Sequence, residues 1–157
     1  MRETGFPQVD VEYDFLRTRR RQFLATLAYR LRGDGNRLVP LDEVADPASW
    51  RGELRLGLQT IPLDTIIGTA ESRRDFDRRF RPTSDRVRSR WERLALAQRR
   101  GAAIPPIEVY RVGDRHFVID GHHRVSIAAA AGQRQIEAYV TQVIAAEPSS
   151  RFDKQPA

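Results

Sequence analysis

Apolar positions recur along this chain with two different periods, and a change of period marks a change of element. Over residues 10–32, Leu16, Phe23, Leu24, Leu27, Ala28 and Leu31 fall at three- and four-residue spacings, which predicts an amphipathic helix. Asp10 stands where a cap is needed, Glu12 and Asp14 suit a first turn, and Gly33 with Gly35 provides a stop. Arg17, Arg19, Arg20 and Arg21 fall on the other face, so the expectation is one apolar face on the core and one wet face. A helix lying on a membrane surface would show the same pattern. Residues 1–9 read as a loose leader.

Beyond an irregular stretch at 33–53, with a short strand or turn at 38–41 and a break at Pro47, residues 55–61 read as a strand running into PLDTIIGT. Residues 72–80 are read as helical and Arg81-Pro82 as a break. Ser84 or Asp85 then caps a second helix that ends at Arg100 before Gly101. In it Val87, Trp91, Leu94 and Ala95 share a face, while Arg86, Arg90, Arg93 and Arg100 point away. Residues 107–111 and 116–119 alternate around Gly113-Asp114, a hairpin signature. The small apolar run 125–131, closed by Gly132, predicts a short helix, and 136–143 a last strand. The polar tail 146–157 is expected to be disordered. Strands and helices around one sheet make an α/β (α+β) domain. It divides into an extension at 1–54 that carries the helix 10–32, a core domain at 55–145 and the tail 146–157.

Charge sharpens this picture in one place. The chain has 27 basic and 21 acidic residues, and Lys154 is the only lysine. Residues 73–100 hold 11 arginines against four acids, whereas the remainder is almost balanced. Such asymmetry suits a polyanion or acidic partner, and equally a solvated helix with arginine-rich outer faces. The absence of cysteine excludes disulfides, thiol nucleophiles and cysteine zinc sites. No apolar run is long enough to span a membrane, and the acid-bearing start is not read as a secretory signal. The expected setting is the cytoplasm.

Candidate chemistry gathers at Asp120, Gly121, His122, His123 and Arg124, where the second hairpin strand hands over to a helix. Free amides and the positive dipole end meet at such a start, and Arg124 offers a fork of donors to phosphate oxygens. The bland reading makes Gly121 a turn residue and Arg124 a solvated arginine. Two of the chain's three histidines beside an aspartate favour an anion site. There His123, with an ordinary pKa near ~6.5, would bind or protonate a phosphoryl oxygen. Asp120 would ligate Mg²⁺, orient a histidine, act as a base or cap the helix. Asp120, His122 and His123 as a transition-metal site is disfavoured, because adjacent histidines rarely aim at one ion. Glu71, beside Arg73 and Arg74, is the candidate base for a phosphoryl acceptor, or an ordinary surface acid. His116, Trp50 and Trp91 read as packing residues.

Taken in order, IPLDTIIGTAESRRDFD (61–77), RRGAAIPPIEVY (99–110), the 121–124 loop with its helix to Gly132, and the strand at 136–140 resemble the ParB/sulfiredoxin-like superfamily. The resemblance covers roughly residues 55–143. It implies a loop that binds nucleotide phosphates, ATP or CTP with Mg²⁺. Gly121 and Arg124 match the family's loop glycine and last arginine. His123 matches the sulfiredoxin histidine and the first partition-type arginine, and Arg73 or Arg74 matches the arginine after the first strand. His122 stands where sulfiredoxins carry cysteine, so sulfinic-acid repair through a cysteine is excluded. The 14 residues after Val143 are too few for the DNA-reading and dimerisation domains of partition proteins. Three functions stay open. The first is a nucleotide binder with slow hydrolysis or phosphoryl transfer, using Arg124, His123, Arg73 or Arg74 and Asp120. The second is a non-enzymatic nucleic-acid binder using Arg86, Arg90, Arg93 and Arg100. The third is a nuclease with Asp120 and a histidine around a metal. The N-terminal helix packs on its own domain or pairs with another copy as a homodimer.

Overall fold

Runs of β-branched and aromatic residues pair into one six-stranded mixed sheet. The computed structural model describes residues 3–145. Its strands are β1 (Val39–Pro40), β2 (Trp50–Pro62), β3 (Ile66–Thr69), β4 (Ile107–Val112), β5 (Arg115–Asp120) and β6 (Gln135–Ala145). Its helices are α1 (Pro7–Arg32), α2 (Arg88–Arg99) and α3 (His122–Ala130). Strand order is β1-β3-β5-β4-β6-β2. Neighbours β1, β3 and β5 run parallel, so their C-terminal ends meet at one end of the sheet. β4 is antiparallel to β5 through the Gly113-Asp114 turn and parallel to β6, and β2 is antiparallel to β6. The expected mixed α/β class, the hairpin and the last strand all form. The apolar run into PLDTIIGT divides in two, because a turn at Leu63–Thr65 separates β2 from β3.

One face of the sheet carries the main core, with Ile107, Val109, Val118, Ala138 and Val140 packed with Trp91, Ala95, Val125 and Ile127 from α2 and α3. A smaller cluster around Leu41, Ala45 and Phe117 forms separately. Trp91 also donates its indole N–H to Ser126 Oγ at 2.9 Å, which joins α2 to α3.

Residues 72–80 do not form the expected helix. Asp77 is fully buried there, and its carboxylate accepts from the Arg79 and Arg81 amides, from Arg81 Nε at 2.9 Å and from Asn36 Nδ2 at 3.2 Å. A side chain that collects its own loop's amides competes directly with the helical ladder. Phe80 takes a left-handed φ of 57°, and Phe76 and Phe80 both turn inward.

Helix α1 departs from expectation twice. It starts at Pro7 with Phe6 in the cap position, where a proline costs no helical hydrogen bond. Asp10 is therefore not the cap but a buried acid that accepts from the Thr4 amide and hydroxyl and pairs with Arg99. The helix also presents the opposite face to the domain. Val11, Phe15, Asp14, Thr18 and Gln22 are buried, while Leu16, Leu24 and Leu27 are exposed, Phe23 is 67% exposed and Leu31 82%. Partners decide this orientation. Asp14 pairs with Arg99, Phe15 meets the Trp91 ring edge-on at 5.6 Å, and Gln22 and Asn36 both donate to Thr26 Oγ1. The tail at 146–157 lies outside the described residues.

Asp77→Ala leaves Arg81 and two loop amides without their acceptor. The expected loss is about 3 kcal/mol, from unpaired buried donors and a stranded charge. Urea unfolding measures it, and an unchanged midpoint would contradict the role given to Asp77.

Candidate functional site

β5 ends at Asp120, and a single glycine turns the chain into α3. Gly121 has φ 110°, and a Cβ there would stand 2.5 Å from Ile107 Cγ2, so only glycine makes this turn without displacing the core. No side chain caps α3, and Val125 N–H returns to the Gly121 carbonyl at 3.0 Å. The amides of residues 122–124 precede that first helical bond and stand at the positive end of the helix dipole. The turn lies at the shared C-terminal end of the parallel strands, where open α/β sheets place their ligand crevices.

His122 is buried, stacked on Phe76 with ring centroids 6.2 Å apart and lying beside Phe80. Its Nε2 is 2.9 Å from Thr69 Oγ1, and that hydroxyl donates to the Glu71 carbonyl at 2.7 Å. The threonine proton is thus committed, which assigns the imidazole proton to Nε2 as donor. Burial first, then the charge of Arg73, pushes the His122 pKa down to about 4. His123 meets Phe76 edge-on at 5.2 Å. Burial, then Arg90 and Arg73, lowers its pKa to about 4 as well, against the opposing pull of Asp75 and Asp120. Both rings are therefore neutral at pH 7, where an ordinary histidine would be about one quarter charged. His123 Nε2 is buried and has no hydrogen-bond partner among the described residues.

Arg124 is engaged elsewhere. Its Nη1 donates to the Pro105 and Pro106 carbonyls and its Nη2 to Asp120 Oδ2, and the side chain is 14% exposed. It clamps the turn to the loop before β4 and does not present an open fork. Asp120 is mostly exposed, with one oxygen held by Arg124. Among the described residues no three His, Asp or Glu side chains gather to hold a metal. The donors present thus do not make a resident metal site, and Asp120 suits Mg²⁺ only as a companion to bound phosphates.

Arg73 and Arg74 are exposed and line a cleft of about 410 Å³ with Asn36, Arg37, Ser72 and Phe76. Phe76 is the wall between that cleft and the two histidines. Glu71 is exposed, and its carbonyl, not its carboxylate, enters the Thr69 network. Arg86, Arg90, Arg93 and Arg100 are all exposed on or beside α2, and only Arg90 acts on His123. Part of the basic excess is structural, since Arg81, Arg88 and Arg99 pair with Asp77, Glu92 and Asp14. His116 packs as expected, with Nδ1 2.8 Å from Thr65 Oγ1. Sequence reasoning missed Thr69, Phe76 and Phe80. The signals were a threonine closing an apolar strand and two phenylalanines four apart in an arginine-rich loop.

No protein-family model matches the chain, and no curated protein matches it. Among solved structures, sulfiredoxin from Arabidopsis thaliana is similar at 22% identity and a TM-score of 0.39, over 53% of this chain and 82% of that one. A conserved hypothetical protein from Pyrococcus furiosus is similar at 16% identity and a TM-score of 0.40, over 55% of this chain and 33% of that one. These are likenesses of fold alone, and no site residue is assigned from them.

His116, His122 and His123 titrate at about 4 when folded and near ~6.5 when unfolded. Between those values the unfolded chain holds more protons, so stability is complete above ~6.5 and falls as pH drops toward 4. The expected loss is on the order of 1–2 kcal/mol per histidine after allowance for partial solvation. Denaturant midpoints across that range check it, and a flat profile would contradict it. Arg124→Ala removes the clamp on two prolyl carbonyls and Asp120, and should cost about 2 kcal/mol without any ligand. The same urea titration at pH 7 reads that loss, and an unchanged midpoint would show that Arg124 is not a clamp.

Proposed function

We propose that this domain binds the phosphates of a nucleotide at the start of α3, and that Arg73 and Arg90, rather than Arg124, are the cations that meet them. The observation that carries the reading is His123 Nε2, a buried nitrogen without a partner at an uncapped helix start. Arg73 and Arg90 are close enough to depress that histidine's pKa, and neither makes an ion pair among the described residues. Helix amides and unpaired guanidinium groups are the donors a phosphate needs. The neighbouring cleft, with Phe76, Arg73 and Arg74 on its walls, has room for the rest of a nucleotide. The family resemblance of residues 55–143 favours ATP or CTP, with Mg²⁺ travelling on the phosphates. Slow hydrolysis or phosphoryl transfer would draw its base from Glu71 or from Asp120, which Arg124 already half occupies.

A bound dianion would offset the charges of Arg90 and Arg73 at His123, while burial, the larger cause of its low pKa, would still favour the neutral ring. A second reading rests on Arg86, Arg90, Arg93 and Arg100, whose spacing of four, three and seven places them on one exposed side of α2. Such a row suits the backbone phosphates of a nucleic acid. The metal-dependent nuclease goes no further, since the described residues gather no ligand set.

Thermal unfolding with ATP and CTP, each with Mg²⁺, tests the first reading. At a ligand concentration about 100-fold above Kd, stabilisation of about 2.7 kcal/mol raises Tm by several degrees. The rise should vanish in Arg73→Ala with Arg90→Ala. No shift with any nucleotide would remove the proposal. Duplex DNA that binds at low salt, and loses affinity in Arg86→Ala with Arg93→Ala, would favour the second reading.

A further inference from the structure

The outward face of α1 is the largest feature left unused by the site. Val9, Leu16, Phe23, Leu24, Leu27 and Leu31 are each 49–82% exposed. At 100° per residue they occupy one side of the helix, opposite the side that carries Val11, Phe15, Thr18 and Gln22 into the domain. Together with Phe6 at the head of the helix they leave on the order of 800 Å² of apolar surface in water, about what each partner brings to a standard protein interface. Nothing among the described residues covers it, because Phe15 on Trp91 and Asp14 on Arg99 hold the helix by its other side.

We propose that α1 pairs antiparallel with α1 of a second copy of this chain. The charges choose both the partner and the direction. Exposed Glu3 and Glu12 lie at the N-terminal end, and exposed Arg30 and Arg32 at the C-terminal end. An antiparallel pair sets acid against base and opposes the helix dipoles, whereas a parallel pair stacks like on like. One register pairs apolar residues along much of the face. With the two-fold axis at Arg20, Val9 lies opposite Leu31 and Leu16 opposite Leu24, while Glu12 and Arg30 share a flank and face each other across the pair. This is an isologous contact that closes at two copies. Arg20, expected on the other face with Arg17, Arg19 and Arg21, instead stands exposed in the middle of the apolar face, where it meets its own copy and is unfavourable in the seam.

Light scattering on the full chain, over about 5–200 µM, tests this by mass action. The expected mass is twice 18.0 kDa at the upper end. Leu16→Glu with Leu27→Glu should give a folded monomer, with folding checked by circular dichroism. Glu12→Arg should weaken the dimer by roughly tenfold, and adding Arg30→Glu should restore it, as expected of facing charges. Arg20→Leu should tighten it. A chain that stays monomeric throughout overturns the proposal, as does a dimer indifferent to the leucine pair. Failure of the charge swap to restore the dimer overturns the antiparallel register. Sedimentation of a monomeric chain with phosphatidylserine vesicles, lost in the leucine pair, would assign the face to a membrane surface instead.

Discussion

Asp14 and Asp77 are almost without solvent, and a carboxylate taken out of water is costly unless a cation and hydrogen bonds replace the water. In this chain the replacement is an arginine each time, Arg99 for Asp14 and Arg81 for Asp77. Those two pairs organise more than their own neighbourhoods. The first sets the rotation of α1 about its axis, and the second folds residues 77–81 into a loop that turns Phe76 and Phe80 toward α3. Pairing also divides the arginines into those spent on structure and those without an ion pair among the described residues. Arg81, Arg88, Arg99 and Arg124 belong to the first group, and Arg73 and Arg90 to the second.

That division shapes the electrostatics at the start of α3. Two histidines are buried against phenylalanine rings within the field of Arg73 and Arg90, so each remains neutral at pH 7. A neutral imidazole beside unpaired guanidinium groups costs less than an imidazolium in the same place would. Both rings stay neutral in this arrangement, and His123 Nε2 has no hydrogen-bond partner among the described residues. Arg124 serves it indirectly, by tying the glycine turn to the Pro105-Pro106 carbonyls so that the amides of 122–124 keep one orientation.

What could be read from the sequence was what depends on neighbours in the chain. The hairpin around Gly113-Asp114, the glycine stop after α1 and the strand-to-helix handover at Gly121 rest on spacing and turn chemistry, and they formed as expected. Other features depended on partners far along the chain. Asp14 meets an arginine 85 positions away, and Asn36 reaches across 41 positions to Asp77. No local period reports such pairings, so the capping role of Asp10 and the inward apolar face of α1 were inferred from patterns that the distant pairing with Arg99 overrode, whereas the helix at 72–80 gave way to Asp77 gathering the amides and the arginine of its own loop. Arg124 shows the same limit of a local reading. The motif suggested a phosphate ligand at this position, and its Nη1 and Nη2 donate to carbonyls 18 and 19 positions earlier and to Asp120.

The orientation of α1 also explains why its apolar stripe stays uncovered among the described residues. Half a turn of rotation would bring Leu16, Phe23 and Leu27 inward, but it would carry Arg20 into the core with them and lift Asp14 away from Arg99. It would also break the Phe15 contact with Trp91, which is fully buried between α1 and the sheet-facing helices. Burying two charges without partners costs several kcal/mol, more than repacking three aliphatic or aromatic side chains would return beyond what Phe15 and Val11 already supply. The stripe therefore faces outward as a consequence of the ion pairs beneath it, and no described residue of the protomer covers it.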